Sequence, residues 1–181
     1  MVQNADLHLF GVDYLAQSRG FDEEVEAHLS KHDVANDQKY RYEFMKIRQQ
    51  LRRFDFLRHV ADMDSLIYAQ FISQEIGMGV FAHKQMPKST VVGLYSGYIR
   101  KGADDTAYAW AYPHKDRSLS LDGRHAGNLL RFVNDYPPYN CQAFTLPLNG
   151  RWQIVYITTK FIHQGEQLSI SYGSHYWTKR S

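Results

Sequence analysis

The stretch RFVNDYPPYN, residues 131–140, sets Arg131, Asn134, Asp135 and Asn140 among two tyrosines and a proline pair. A turn alone needs only Asn-Gly or Pro-Gly, which reverse the chain with far simpler side chains. These amide, phenol and charged groups must therefore answer to something beyond chain reversal. Upstream, GMGVFAHK places Gly77 and Gly79 just before a strand-like run. Glycines there permit positive φ and let a ligand approach the backbone, although the same pair also marks plain turns. Downstream, GEQLSISYGSHYW brings Glu166, Tyr172 and Trp177 together within one short segment. His28 and His32 stand one helical turn apart beside Asp33, a spacing that can bind metal. No further ligand follows them in sequence, so an exposed helix face accounts for the pair and no metal site is predicted. Cys141 is the only cysteine, which excludes an internal disulfide or a cysteine-rich zinc cluster and fits a reducing compartment.

The elements that must position these groups fall into two regions. Up to about residue 65, FDEEVEAHLSKH and YRYEFMKIRQQLRRFDFLRHVADMD lack Gly and Pro. Phe44, Ile47, Leu51, Phe54 and Leu57 recur at the spacing of one helix face, so two helices are predicted. Beyond it come short β-rich runs punctuated by Gly and Pro: LIYAQFIS, GVFAHKQ, TVVGLYSGYIR, SLSLDG, QAFTLPL, RWQIVYITTKFI and EQLSISYG. The fold class is mostly β with an α-helical N-terminal extension.

At 181 residues the chain suits one core with a small helical attachment. Its 13 tyrosines and 10 phenylalanines suggest extensive aromatic packing or an aromatic-lined site. A net charge of +2 makes no whole-protein case for nucleic acid. The local case is Arg41, Lys46, Arg48, Arg52, Arg53 and Arg58, a basic run that could meet phosphates or serve only as a solvated helix face. No stretch approaches the roughly 20 apolar residues of a membrane span, and the start of the chain has no signal-peptide pattern. The expectation is a soluble, intracellular protein without a membrane partner, in nucleus or cytoplasm.

Read in order, four features resemble the SET-domain protein lysine methyltransferases: GMGVFA at 77–82, VVGLYSGYI at 91–99, the Arg131–Asn140 run, and Gly165-Glu166-x-Leu168-x-x-x-Tyr172-Gly173. The last is the most specific. The resemblance covers roughly residues 68–177 and divides the chain into a helical region 1–67, the SET domain 68–177 and a tail 178–181. It implies a β-clip-like fold of small sheets, with a knot-like crossing where the Asn134 segment passes beside the Tyr172 segment.

The resemblance also implies S-adenosylmethionine as cofactor and a lysine-containing protein, histone or histone-like, as substrate. On it, Met78 and Gly79 offer backbone groups to the cofactor, Asn134 bonds its amino-acid portion, Asp135 contacts the cofactor largely through its backbone, and Trp177 covers the adenine. Trp177 could instead cap the core. Tyr172 is the catalytic tyrosine and Tyr108 a second channel tyrosine, with core packing as the other reading of Tyr108. Ile170, two residues before Tyr172, lines the substrate channel and leaves room for di- or trimethyl products. The chemistry fits such a channel, because deprotonating a lysine of pKa near 10.4 at pH 7 costs roughly 4 to 5 kcal/mol and burial lowers that cost. Two departures stand out: Asp135 replaces the family's histidine, and Gly97-Tyr98 replaces Gly-Glu. They leave open a non-catalytic module that binds lysine-bearing tails. A nucleic-acid-associated protein using residues 41–60 is a third reading, but it leaves the Tyr172 motif unexplained.

Overall fold

The computed structural model describes residues 1–31, 41, 45, 63–102, 107–113, 118–148 and 151–178. Small sheets carry the fold. Strands β3 (Ile67–Ser73) and β4 (Gly77–Ala82) form an antiparallel hairpin. Strand β5 (Val91–Tyr95) flanks β11 (Arg151–Thr158), which pairs antiparallel with β10 (Cys141–Leu148). Strands β6 (Tyr98–Lys101), β7 (Ala109–Ala111) and β8 (Leu119–Asp122) join the two-residue β2 (Arg19–Gly20) in the order β2-β6-β8-β7. A last pair, β1 (Asp13–Tyr14) and β9 (Ala126–Gly127), runs parallel.

Every residue of β5 is buried, which is why it reads as a continuous apolar run rather than an alternation. The single strand predicted over 90–100 is two strands, broken at Ser96–Gly97. A Cβ on Gly97 would lie 2.6 Å from the carbonyl carbon of Asp122 and 2.9 Å from the nitrogen of Gly123. Only glycine lets the chain pass that close, and the passage turns β5 into β6.

The helical region predicted over 1–67 is helical only in part. Residues 1–31 hold a 3-10 helix at Asn4–Phe10 and α1 (Glu23–Ser30), whose N-terminus is capped by Asp22 Oδ1 accepting from Val25 N at 2.8 Å. The rest of the segment is tied into the β region: β1 and β2 pair with later strands, and Asn4 Oδ1 accepts from the nitrogen of Leu129 at 2.9 Å. Asn4 Nδ2 donates at 2.7 Å to Asp64 Oδ1, in the first turn of α2 (Met63–Leu66). The second predicted helix lies outside the described residues except for Arg41, Met45 and α2. His32, Asp33, Lys46, Arg48, Arg52, Arg53 and Arg58 also lie outside them.

The run EQLSISYG, predicted as a strand, makes only isolated bridges, Gln167 to Phe81 and Ser169 to Asn134, before α3 (Ser174–Thr178). No helix among the described residues is long and apolar enough to cross a membrane.

Candidate active site

A short 3-10 helix, Leu129–Phe132, delivers the Arg131–Asn134 segment to the site. Asn128 holds both of its sides, accepting from Leu130 N at 3.2 Å and donating to Leu94 O at 2.6 Å. From there Asn134 runs parallel to Ser169, and Ile170 N donates to Asn134 O at 3.1 Å. Asn140 locks this meeting from the far side of the proline turn. Its Nδ2 donates to Gln167 O at 2.8 Å and Glu166 Oε1 at 3.0 Å, while its Oδ1 accepts from Ser169 N at 2.9 Å. Glu166 also accepts from His163 N at 2.9 Å through Oε2, so its role is to brace the turn. The amides of RFVNDYPPYN therefore join two segments remote in sequence.

Two concavities meet at this junction. The larger is a cleft of about 840 Å³ whose lining includes Gly77, Met78, Asn134, Asp135, Tyr136 and Trp177. The smaller is a chamber of about 40 Å³ walled by Tyr95, Tyr108, Trp110, Arg131, Tyr156 and Tyr172. Tyr108, Arg131, Tyr172 and Tyr176 belong to both linings, so they form the partition.

Tyr172 is fixed at each end. Its hydroxyl donates to Val133 O at 2.7 Å, and its backbone nitrogen donates to Asp135 Oδ2 at 3.0 Å. Its ring meets Tyr176 edge-on at 4.6 Å and stacks toward Trp177 at 6.3 Å. Burial first, then the electrostatics of Tyr176, Asp135 and Tyr108, push the Tyr172 phenol well up, so it stays protonated. Burial does the same to Tyr95, whose hydroxyl donates to Tyr108 O at 2.6 Å.

Asp135 shows why an acid can stand here. Besides Tyr172 N, it accepts from Trp177 Nε1 at 2.9 Å and from the Tyr139 hydroxyl at 2.8 Å. Partial burial alone would raise its pKa, but hydrogen bonds from Tyr172, Trp177 and Tyr139 outweigh that and hold it below the usual carboxylate value. An anion suits an acceptor of this many donors better than a neutral imidazole with one lone pair.

Of the residues predicted for the site, Tyr172 and Tyr108 stand on the partition, and Met78, Asn134, Asp135 and Trp177 line the cleft. Asn134 Nδ2 donates to Met78 O at 2.9 Å, tying the glycine strand to the crossing. Gly79 is not among the lining residues: a Cβ on it would meet Ile72 and, at 3.0 Å, Gln167 Nε2. Gly77, at φ +77°, is the motif glycine that lines the cleft. Ile170 lines neither concavity. It is 0% exposed within the main core, because the crossing turns this alternate residue inward. The reasoning that it leaves room for di- or trimethyl products loses its basis. Tyr98 lies away from the cleft, packed edge-on against Phe21 at 5.5 Å and accepting from Arg19 at 3.1 Å. The Gly-Glu departure thus serves the N-terminal segment.

Sequence reasoning missed Tyr95, Trp110, Tyr156, Tyr176, Phe10 and the chamber position of Arg131. The tyrosine-rich composition was the general signal, and the four-residue spacing of Tyr172 and Tyr176 a specific one. Among the described residues no cluster of His, Cys, Asp and Glu could hold a metal ion.

The family model described as SET domain matches residues 77–173. The chain is 26% identical over 119 residues to the mouse protein Histone-lysine N-methyltransferase EHMT1, covering 58% of this chain and 9% of that one. It is 25% identical over 132 residues to mouse Histone-lysine N-methyltransferase SETD2, covering 67% of this chain and 5% of the other. A solved structure of ctPRC2 in an autoinhibited conformation, bound to S-adenosylmethionine, superposes with a TM-score of 0.54 at 20% identity, over 60% of this chain and 15% of that chain. The chain thus spans less than a tenth of the length of these curated relatives.

Proposed function

Given that the chain belongs to the SET-domain family, we propose that it is an S-adenosylmethionine-dependent protein lysine N-methyltransferase. The observation that carries the reading is the partition: Tyr172 faces a ligand-sized cleft on one side and a narrow aromatic chamber on the other.

The cleft suits the cofactor. Tyr136 and Trp177 are 59% and 53% exposed at its rim and offer flat apolar faces to a purine. At Gly77 nothing lies within 4 Å of where a Cβ would stand, which leaves the backbone open to a ligand. The ionised Asp135 lies on the same lining as a counter-charge for a cationic group. When bound, S-adenosylmethionine supplies an electrophilic methyl group. Every other requirement falls on the chain itself.

The chamber suits the substrate. A volume of about 40 Å³ admits the end of an unbranched amine and little else, so it excludes water as the side chain enters. Removal from water in so narrow a chamber disfavours the ammonium form of that amine, which must lose its proton to become a nucleophile. Tyr172, whose own proton is given to Val133 O, keeps its oxygen lone pairs for an N–H of the amine. That contact aims the nitrogen lone pair at the partition, and the orientation is the main catalytic contribution.

The substrate class is a lysine-bearing protein, and histone or histone-like tails fit best because the relatives are named for histone lysines. The test is incubation of the protein with S-adenosylmethionine and a panel of histones and other basic proteins, followed by peptide mass spectrometry. Methylated lysines support the reading; unmodified lysines across the panel and a cell lysate oppose it.

A further inference from the structure

Arg131 is the one charged side chain among the described residues that line the small chamber. It is also buried, at 8% exposure. Its guanidinium carbon lies 4.2 Å from the centroid of the Tyr108 ring, and its NH2 donates to Arg124 O at 3.0 Å. Its Nε is buried and has no hydrogen-bond partner. Among the described residues no carboxylate pairs with it. Asp122 bears on it electrostatically, but that carboxylate is held by Arg100 at 3.0 and 2.6 Å and by Arg124 N at 2.9 Å. The phenols of Tyr95, Tyr156 and Tyr172 are pushed up by burial and provide no counter-anion.

A group that only filled space here would pack better as leucine or methionine. An unpaired buried cation with an unsatisfied donor is costly unless it does something. The Tyr108 and Phe132 rings, at 4.2 and 5.0 Å, offset part of the cost of burial, but burial still depresses the pKa of Arg131, and the guanidinium keeps its proton. A chamber of about 40 Å³ leaves an entering amine no position remote from a residue on its wall.

We propose that Arg131 is a positioning residue of fixed positive charge that disfavours the ammonium form of the entering lysine, so that the amine reaches Tyr172 neutral. The inference rests on the lysine methyltransferase reading given above. A like charge at close range lowers an amine's pKa, and here it adds to desolvation by the aromatic walls. The displaced proton leaves to bulk water as the side chain enters the chamber. Two carboxylates oppose the effect: Asp122, whose charge is paired with Arg100, and Asp135, which bears on Tyr172 from the cleft side while accepting from Tyr172 N, Trp177 Nε1 and the Tyr139 hydroxyl.

The experiment is the pH dependence of kcat at saturating peptide and cofactor, which reports groups in the bound complex, for wild type, Arg131→Met and Arg131→Lys, with fold checked by circular dichroism. The expected result is an acid limb whose midpoint rises by about one unit in Arg131→Met, an about tenfold loss of rate at a fixed pH on that limb. The loss is recovered at high pH, and Arg131→Lys keeps the wild-type midpoint. A purely structural Arg131 would lower stability without moving the midpoint, and an unmoved midpoint in folded Arg131→Met overturns the inference. If Arg131→Met does not fold, Arg131→Gln, which keeps a donor for Arg124 O, is read by the same criterion.

NMR titration of the peptide ε-amine, bound together with S-adenosylhomocysteine, reads the same charge without turnover. The wild-type complex should show the lower pKa; equal values in wild type and Arg131→Gln overturn the inference. A wild-type protein that transfers no methyl at any pH would instead sink the methyltransferase reading, while the titration still reports on Arg131.

Discussion

The backbone nitrogen of Tyr172 donates to Asp135 Oδ2 at 3.0 Å, joining the two crossing segments at the residue that stands between the cleft and the chamber. The same oxygen accepts from Trp177 Nε1 at 2.9 Å, so one carboxylate sets both the partition and the rim of the cleft.

Asp135→Ala should therefore lower both turnover and cofactor affinity, each by about ten- to hundredfold, since losing a charged acceptor of this kind costs roughly 1.5–3 kcal/mol. Calorimetry with S-adenosylhomocysteine and steady-state rates check the two effects separately. The pH dependence has a definite sign. Because the folded-state pKa of Asp135 is lowered, its contribution to stability is present above the ordinary carboxylate pKa and lost as pH falls through the folded value. The stability difference between wild type and Asp135→Asn, measured by urea unfolding, should be full at pH 7 and shrink below about pH 4.

Tyr172→Phe removes one hydroxyl and keeps the ring contacts with Tyr176 and Trp177. Its stability should fall by roughly 1–3 kcal/mol, because the substitution strands the carbonyl of the buried Val133 without its donor. Turnover should fall below about a tenth of wild type, on the scale where 1.36 kcal/mol is tenfold. Rates above that level would remove the hydroxyl from its assigned role.

Asn140→Ala tests the crossing itself. The side chain is 3% exposed and satisfies Ser169 N and Gln167 O, which the substitution strands without partners. A loss of roughly 3 kcal/mol is expected, read as a fall in the urea midpoint with an unchanged slope.

Ile170→Tyr is a correction as well as a prediction. A residue in the fully buried core cannot take a phenol without strain, so the variant should lose about 1–3 kcal/mol or more of stability. The ratio of mono-, di- and trimethyl products should stay that of wild type, by time-resolved mass spectrometry on one peptide.

The motifs made the family and the meeting of the Asn134 and Tyr172 segments legible, because those positions are defined by specific residues at fixed spacing. The chamber was not legible to the same degree. Tyr95 and Tyr156 lie on strands buried over nearly their whole length, where period-two alternation no longer says which side chains face a cavity. Ile170 was misplaced for a related reason: two positions before Tyr172 in an extended segment implies a shared face, but EQLSISYG is not a regular strand and the crossing reorients it. The N-terminal segment hid its role because β1 and β2 are two residues each, too short for any pattern, and are defined only by their partners.

The central claim is that Tyr172 separates a cofactor cleft from a lysine chamber across which a methyl group passes. The most direct measurement is intact-mass and peptide mass spectrometry of a histone panel treated with wild type and Tyr172→Phe in parallel, with S-adenosylmethionine in excess. The account predicts methyl additions on lysine with the wild type and nearly none with the variant, although both bind the cofactor with similar affinity. Equal methylation by the two proteins, or binding of the cofactor by neither, would contradict it.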